Sequence, residues 1–182
     1  RTSYSSAAWA QVDANFTVTS GIQSWTVPES GAYTINAVGA GGGNSTYGGN
    51  GASMSGRFVL NQGDVLKILV GQTGASVLGG SNYRYGAGGG SFVIKNPSTP
   101  LIVAGGGGGS AIYASGSWTP NIAGDGSTNP NPGYSTGGTA DPNPGGCGGA
   151  GQGGAGYDNN GTGVTASQSF TNGGTGGTGG AE

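Results

Sequence analysis

Apolar and polar residues alternate along several short stretches of the first part of the chain, a pattern typical of half-buried β-strands. The longest alternating stretch runs from Ala8 to Thr19. Its apolar positions all fall on one face: Ala8, Ala10, Val12, Ala14, Phe16 and Val18. The sequence therefore predicts an extended N-terminal strand whose apolar face consists mostly of small residues.

Turn-forming residues separate this strand from the next ones. After a turn at Ser20-Gly21, the pattern predicts strands at 23–28, 33–37, 53–60, 65–70, 91–95, 101–104 and 111–113. Residues 65–70 are almost continuously apolar, which indicates a central strand. We predict two antiparallel hairpins, 53–60 with 65–70 and 91–95 with 101–104, and expect residues 111–113 to extend the sheet. Because no stretch has a helical period, the expected fold is an all-β antiparallel sandwich of jelly-roll type with an extra N-terminal strand.

Glycine begins where several predicted strands end, and the chain contains 46 glycines in 182 residues. Leu101–Gly109 runs from an apolar strand into five glycines, and Gly86–Lys95 makes the reverse transition. A glycine run is either a flexible linker or an ordered polyglycine II helix. Such a helix has no internal hydrogen bonds, so its backbone groups form hydrogen bonds with neighbouring segments. Linkers join domains, whereas these strands are too short to be domains. We therefore predict polyglycine II helices inserted between strands, a view that the Gly-Gly-X triplets of Gly173–Ala181 favour, with flexible linkers as the alternative.

The length and composition indicate one domain. We assign residues 1–20 to an extended donor segment, residues 21–182 to one glycine-rich domain, and residues 118–146, rich in Pro, Asn, Asp and Gly, to a surface loop. Charged residues make up 7% of the chain and the net charge is −2, which argues against a nucleic-acid partner. No apolar stretch reaches about 18 residues, so no membrane span is expected.

The residues needed for common catalytic and metal sites are missing. The chain has no histidine, which excludes Ser-His and Cys-His catalysis and histidine metal sites. Asp125 and Asp141 lack the spacing of a calcium loop and are explained as turn residues. We therefore expect no enzyme, no catalytic residue, no cofactor and no metal. Cys147, the one cysteine, is interpreted as a small apolar residue within a glycine triplet, with an intermolecular disulfide as the alternative.

Three asparagines fit the N-glycosylation pattern: Asn15, Asn44 and Asn160. Asn96 is followed by proline, which blocks the modification. If the source is a eukaryote, we expect sugar on at least one of the three asparagines.

Four ordered blocks of sequence resemble a known family. They are SWTVPESGAYTINAVGAGGG at 24–43, GDVLKILVGQTG at 63–74, GGGSFV at 88–93 and PLIVAGGGGG at 100–109. In this order they resemble the extracellular glycine-rich domain of anaplastic lymphoma kinase and leukocyte tyrosine kinase, and of related secreted microbial proteins. The resemblance implies an extracellular location and a tumour-necrosis-factor-like jelly roll with a packed bundle of polyglycine helices.

The chain departs from this family in two places. The kinase members have cysteine-bearing segments where this chain has the alternating strand 8–19. Family sequences also continue into a closing apolar strand, whereas this one stops at Glu182. The cytokine-binding role of the kinase domains does not carry over, because no residue here matches a motif for it.

These departures suggest a structural role. A jelly roll short of one strand leaves an edge or groove that an extended segment of a neighbouring subunit can fill. Repeated head to tail, this contact makes a filament. We therefore expect a structural protomer of an extracellular filament or surface appendage, a homopolymer in which the apolar face of residues 8–18 contacts the next subunit. The alternative is that this strand pairs within its own subunit.

Two other functions are compatible with the sequence. One is a ligand-binding module of a surface receptor or adhesin, for which loop 118–146 is a candidate surface. The weaker one is ice binding, suggested by Thr175 and Thr178 one helical turn apart, although two threonines are too few to form a binding face.

Overall fold

A computed structural model describes residues 15–19, 21–43, 48–74, 76–77, 82–109, 111–113 and 170. Within these residues the chain is built of β-strands and contains no helix. The strands are β1 Phe16–Thr19, β2 Ile22–Thr26, β3 Gly31–Val38, β4 Ser53–Leu60, β5 Val65–Leu69, β6 Ser76–Val77, β7 Asn82–Tyr85, β8 Ser91–Lys95, β9 Thr99–Ala104 and β10 Ala111–Tyr113. All of the strand pairs are antiparallel, which confirms the predicted all-β antiparallel class.

The largest sheet has five strands in the order β1-β2-β5-β8-β9. The almost continuous apolar run of β5 occupies the centre of this sheet, as predicted, and Leu66 is buried. The next strand, β8, is buried from Ser91 to Ile94. Burial at consecutive positions means that both faces of the sheet are covered at β8.

The predicted hairpin of residues 53–60 with 65–70 is wrong. Strand β4 pairs with β3 along its whole length, from Gly31 opposite Leu60 to Val38 opposite Ser53, in a separate two-stranded sheet. The turn between β4 and β5 therefore carries the chain from one sheet to the other, because the partners of β5 are β2 and β8. The predicted hairpin of β8 with β9 is confirmed.

Residues 111–113 also differ from the expectation. They form β10 in a separate three-stranded sheet of order β10-β7-β6, and so do not extend the five-stranded one. Strands β6 and β7 were not predicted, since neither has a long enough alternation to be recognised.

Apolar side chains pack on both faces of the five-stranded sheet. The cluster between this sheet and the β3-β4 sheet has as its buried members Val27, Ala37, Leu60, Leu66, Val93, Ile102 and Ala104. Phe92, Ile94 and Val103 form a second cluster, to which Phe170 contributes a ring 5.5 Å from that of Phe92. Because Phe92 and Val93 are adjacent in one strand, the two clusters lie on opposite faces.

Five glycine-rich segments leave the sheets at the same end, and we call them the glycine cluster. They are residues 39–43, 48–52, 71–74, 86–90 and 105–109. Their common position follows from the antiparallel pairing, since β3, β5 and β9 end where β4 and β8 begin. We call this the glycine end of the sheets. At the opposite end, the turn end, lie the connections 27–30, 61–64 and 96–98.

The segments of the glycine cluster bond to one another through their backbones. Residues 105–109 are buried, and the amide of Gly107 donates to Ala40 O at 2.9 Å while Gly107 O accepts from the Gly88 amide at 2.8 Å. Ser91 ties the cluster to the sheets, because its hydroxyl donates to Val38 O at 2.7 Å and accepts from the Gly71 amide at 3.1 Å. The described glycine segments thus contact each other directly, as the ordered alternative requires.

Candidate strand-acceptor groove

A groove of about 450 Å³ opens between β3 and the inner face of the five-stranded sheet. We call it the β3 groove. Its lining residues come from β1, β2, β3, β5 and β8: Phe16, Gln23, Trp25, Tyr33, Thr34, Ile35, Asn36, Leu66, Ile68 and Val93. None of them comes from β4, so the groove lies on the side of β3 that faces away from β4.

The groove exists because the second sheet is narrower than the first. In the described residues, β3 and β4 are the two strands of that sheet, and they pack over β8 and β9. The inner face of the β1-β2-β5 part is therefore covered unevenly, because Phe16 and Leu66 are buried there. Trp25 and Ile68, on the inner face of this part, are half-buried, whereas Ile102, beneath β3 and β4, is buried.

Strand β3 borders the groove with an edge that pairs with no strand in the described part of the chain. Such an edge presents a row of backbone donors and acceptors and is a template for another strand. A strand added here would pair with β3 on one side and cover the inner face of β1, β2 and β5 below. One segment would thus meet both an open edge and an apolar floor.

The lining of the groove is apolar at its floor and uncharged at its rim. The Trp25 and Tyr33 rings meet edge to face, with centroids 5.6 Å apart and planes at 75°, a favourable geometry for aromatic pairs. The Tyr33 hydroxyl donates to Glu29 O at 2.6 Å, which fixes the ring. Thr34 and Asn36 provide polar groups along β3. The groove is therefore suited to a neutral segment with an apolar face.

The structure places one end of the predicted donor segment in the chain's own sheet. Phe16 lies opposite Trp25 of β2 and is 2% exposed, whereas Val18, on the same face, is 54% exposed. The other predicted interface residues, Ala8, Ala10, Val12 and Ala14, lie outside the described residues. Contact between this segment and a neighbouring subunit stays a prediction, and for Phe16 the structure shows an additional role within the subunit.

The remaining sequence-predicted sites are mostly outside the described residues, where Asn44, Asn160 and Cys147 lie. Asn15 is half-buried just before β1, and its backbone oxygen accepts from the Thr26 amide at 2.8 Å. No group of three or more His, Cys, Asp or Glu side chains that could hold a metal ion occurs among the residues that the structure describes. No helix in the described part of the chain is long and apolar enough to cross a membrane.

The sequence pointed to the donor segment and, among the residues that line the groove, only to Phe16, which it assigned to that segment. Trp25 and Tyr33 lie in the predicted strands 23–28 and 33–37, and an apolar residue in a strand indicates burial and not an open site. The missing information was the width of the second sheet, since it decides which inward residues are covered. A scan against protein-family models finds no family that matches this chain.

Proposed function

We propose that this chain is a structural, non-catalytic protomer of an extracellular filament or surface appendage, in which N-terminal strands join the subunits head to tail. The observation that carries the proposal is the edge of β3 that pairs with no other strand among the described residues and lies beside an apolar groove. Exposed edges of this kind invite pairing with another chain. A protein that retains one next to an apolar floor has a site for strand addition, in which backbone bonds give affinity and side-chain pockets give specificity.

The N-terminal segment has the properties of a strand that fits such a site. Residues 2–12 contain no charged side chain, and the even-numbered positions from Ala8 to Ala14 are small and apolar. A neutral segment avoids leaving an unpaired charge in a groove whose lining is also uncharged. Burial of Val12 would contribute roughly 1.5–3 kcal/mol before ordering costs.

The finer architecture forms part of the same proposal. We assign the sandwich to the tumour-necrosis-factor-like jelly rolls that the sequence resembles, with the place beside β3 left for a strand of a neighbour. We assign the glycine cluster to packed polyglycine II helices, because its segments form backbone hydrogen bonds with one another. A polyglycine II helix has no internal hydrogen bonds and therefore needs such neighbours. Such a cluster would give each subunit a rigid end. If the source is a eukaryote, we expect sugar on at least one of Asn15, Asn44 and Asn160.

A second candidate function is ligand binding by a module of a surface receptor or adhesin. The observation that favours it is that Trp25 and Tyr33 line the groove together with Gln23 and Asn36. Aromatic rings with amide side chains nearby can hold a small neutral ligand. The two functions differ in particle size, since the module stays monomeric at micromolar concentration and the filament protomer polymerises. Ice binding remains the weaker candidate, because two threonines, Thr175 and Thr178, are too few to form a binding face.

Two matched variants of the full chain test the proposed function. Val12→Asp places a charge on the apolar face of the donor segment, and Gln11→Asp places the same charge on the opposite face. By negative-stain electron microscopy and light scattering, wild type and Gln11→Asp should form filaments, and Val12→Asp should remain a folded monomer with an unchanged circular dichroism spectrum. Monomeric wild type, or filaments of Val12→Asp equal to those of wild type, would contradict strand donation.

A further inference from the structure

We infer that residues 173–181 pack on the 105–109 segment of the same chain, on the side that faces away from 39–43. The inference goes beyond filament assembly, and of the proposed function it uses only the assignment of the glycine cluster to polyglycine II helices. It follows from the hydrogen bonds of the cluster, the burial of 105–109, the position of Phe170 and the period of the Gly-Gly-X triplets.

The backbone hydrogen bonds of the cluster repeat their direction every three residues. In the 39–43 segment, the first and fourth amides donate to 48–52, and the second and fifth amides donate to 86–90. A period of three residues is that of a polyglycine II helix. Because 39–43 bonds to both neighbours, it lies between them, and the three segments lie side by side.

These three segments cover only one half of 105–109. The 105–109 segment bonds to each of them through backbone groups of Gly105, Gly107 and Gly108. Since the three lie side by side, they occupy one half of its circumference. All five residues of 105–109 are nevertheless buried. The other half is therefore covered as well, although none of the described glycine segments bonds to 105–109 from that side.

Gly106 indicates the chemistry that the covering segment needs. Gly105 O accepts from 48–52 and Gly107 O accepts from 86–90. In a helix of three residues per turn, the carbonyl between them points in the third direction, towards the other half. Gly106 is buried, and no backbone hydrogen bond joins it to another residue of the described part of the chain. Because buried backbone groups are almost always paired, the covering segment must bring backbone donors and acceptors close to Gly106.

Only a segment with bare faces can approach this closely. A Cβ atom added at Gly106 or Gly107 would lie 2.0 Å from a backbone oxygen of a neighbouring segment. Residues 173–181 meet this requirement, because their side chains recur at every third position and so share one face of a polyglycine II helix. The other two faces consist of glycine. The side chains belong to Thr175, Thr178 and Ala181.

A second Gly-Gly-X segment, residues 145–156, fits less well. Its side chains do not keep the period of three, because Gln152 follows Ala150 after a single glycine. In a helix of three residues per turn they fall on two faces, and only one face stays bare. We therefore assign the contact to residues 173–181 and treat 145–156 as the alternative that the experiment must exclude.

Phe170 brings the chain to the side of the sheet where this contact forms. Its ring lies 5.5 Å from that of Phe92, in the cluster on the face of the five-stranded sheet turned away from β3 and β4. Phe92 is the second residue of β8 and lies at the glycine end. Because 39–43 continues β3, the side of 105–109 opposite 39–43 is also turned away from β3. Gly173 is three residues further along the chain, a distance of at most about 10 Å.

Amide hydrogen exchange followed by NMR tests the inference on the full chain, under conditions that keep it monomeric. The result therefore does not depend on the filament function. The readout is the exchange rate of the Gly106 amide. The reference is the Gly63 amide, which donates to Val27 O at the turn end and so reports global opening of the subunit. In wild type the Gly106 amide should be protected.

Two matched double variants separate the faces of the 173–181 helix. Gly176→Val with Gly177→Val, the glycine-face variant, fills both bare faces. It should speed the exchange of Gly106 about tenfold or more relative to the reference, because the two segments must separate. Thr175→Val with Thr178→Val, the side-chain-face variant, leaves the bare faces intact and should leave this ratio unchanged.

Several results would overturn the inference. One is an unchanged Gly106 rate in the glycine-face variant. Another is faster exchange in Gly148→Val with Gly151→Val alone, since the bare face of 145–156 would then make the contact. Protection of Gly106 that falls on dilution would mean that a second copy supplies the segment. If the Gly107 amide also exchanges freely in wild type, the assignment to polyglycine II helices is wrong as well.

A nitroxide label provides a second measurement that leaves the packing intact. In a Cys147→Ser background, a label on Thr178→Cys lies on the side-chain face and should broaden the amide signal of Gly106 but not that of Gly63. A label on Val59→Cys, which is 81% exposed at the turn end of β4, should do the reverse. If the label on Thr178→Cys leaves the Gly106 signal sharp, the inference is wrong even where the valine variants fail to fold.

Discussion

Replacing Gly107 with alanine should destabilise the subunit more than a similar change at a glycine outside the cluster. Gly107 is buried in the middle of the glycine cluster. A Cβ atom added there would lie 2.0 Å from Gly49 O and 2.4 Å from Gly49 C. Both are backbone atoms, so they cannot move aside as a side chain can. The 105–109 and 48–52 segments must therefore separate.

The size of the effect can be estimated from the contacts that separate. Overpacking costs about 1–3 kcal/mol. The two segments are also joined by backbone hydrogen bonds from the Gly49 amide to Gly108 O and from the Ala52 amide to Gly105 O, each contributing about 0.5–1.5 kcal/mol. Reduced freedom of the unfolded chain offsets about 0.4–1 kcal/mol of this loss. We expect a net loss of about 2–4 kcal/mol, or roughly 5–15 °C in the melting temperature of a chain of this length.

Gly31→Ala is the matched control. Gly31 lies in β3, its φ is outside the left-handed region, and an added Cβ would meet its nearest atom, in the Tyr33 ring, at 3.9 Å. This substitution should leave the stability unchanged or raise it by up to about 1 kcal/mol. Thermal unfolding followed by circular dichroism measures both variants, under conditions that keep the protein monomeric. Equal melting temperatures for Gly107→Ala and Gly31→Ala would refute close packing of the glycine segments.

Two further predictions concern the stability of the subunit. Phe16→Ala should cost about 3 kcal/mol because Phe16 is buried, whereas Val18→Ala, on the exposed end of the same strand, should cost less than about 0.5 kcal/mol; equal losses in urea denaturation would show that β1 does not pack on its own subunit. Hydrogen bonds from the Lys95 ammonium, at 2.7 Å, and the Asn61 amide hold the pKa of Asp64 below its ordinary value. Because the pKa is lowered by folding, this stabilisation is complete above the ordinary Asp pKa of about 3.9 and disappears as the pH falls through the folded value. Asp64→Asn should therefore lose less stability than wild type between about pH 6 and pH 3, and an identical loss in both proteins would contradict this role of Asp64.

Local pattern was sufficient to predict several strands and one strand's position in a sheet. The apolar run 65–70 indicated a central strand because both of its faces had to be covered, and β5 is the third of five strands. The turn at Asn61–Asp64 was also recognised from its residue types. The predicted pairing of the two strands that flank this turn was wrong. Turn residues show that the chain reverses, but they do not show whether the strand after the turn pairs with the strand before it. That choice depends on distant partners, here β3 for β4 and both β2 and β8 for β5.

The groove could not be predicted from local pattern for a related reason. Trp25 and Tyr33 lie in short predicted strands and Ile68 in an almost continuous apolar run, as core residues do. Whether such residues are covered depends on the number of strands in the facing sheet, a property of the whole fold. Contact between the glycine segments was easier to predict. Glycine has no side chain, so a long run of glycines serves either close backbone packing or flexibility, and only these two alternatives had to be weighed.

Cryo-electron microscopy of the assembled wild-type protein tests the central claim most directly. The account predicts filaments with one subunit repeated head to tail, and density for residues 1–14 of each subunit beside β3 of the next, on the floor formed by Trp25, Leu66 and Ile68. Density for this segment within its own subunit, or discrete monomeric particles at concentrations well above micromolar, would contradict it.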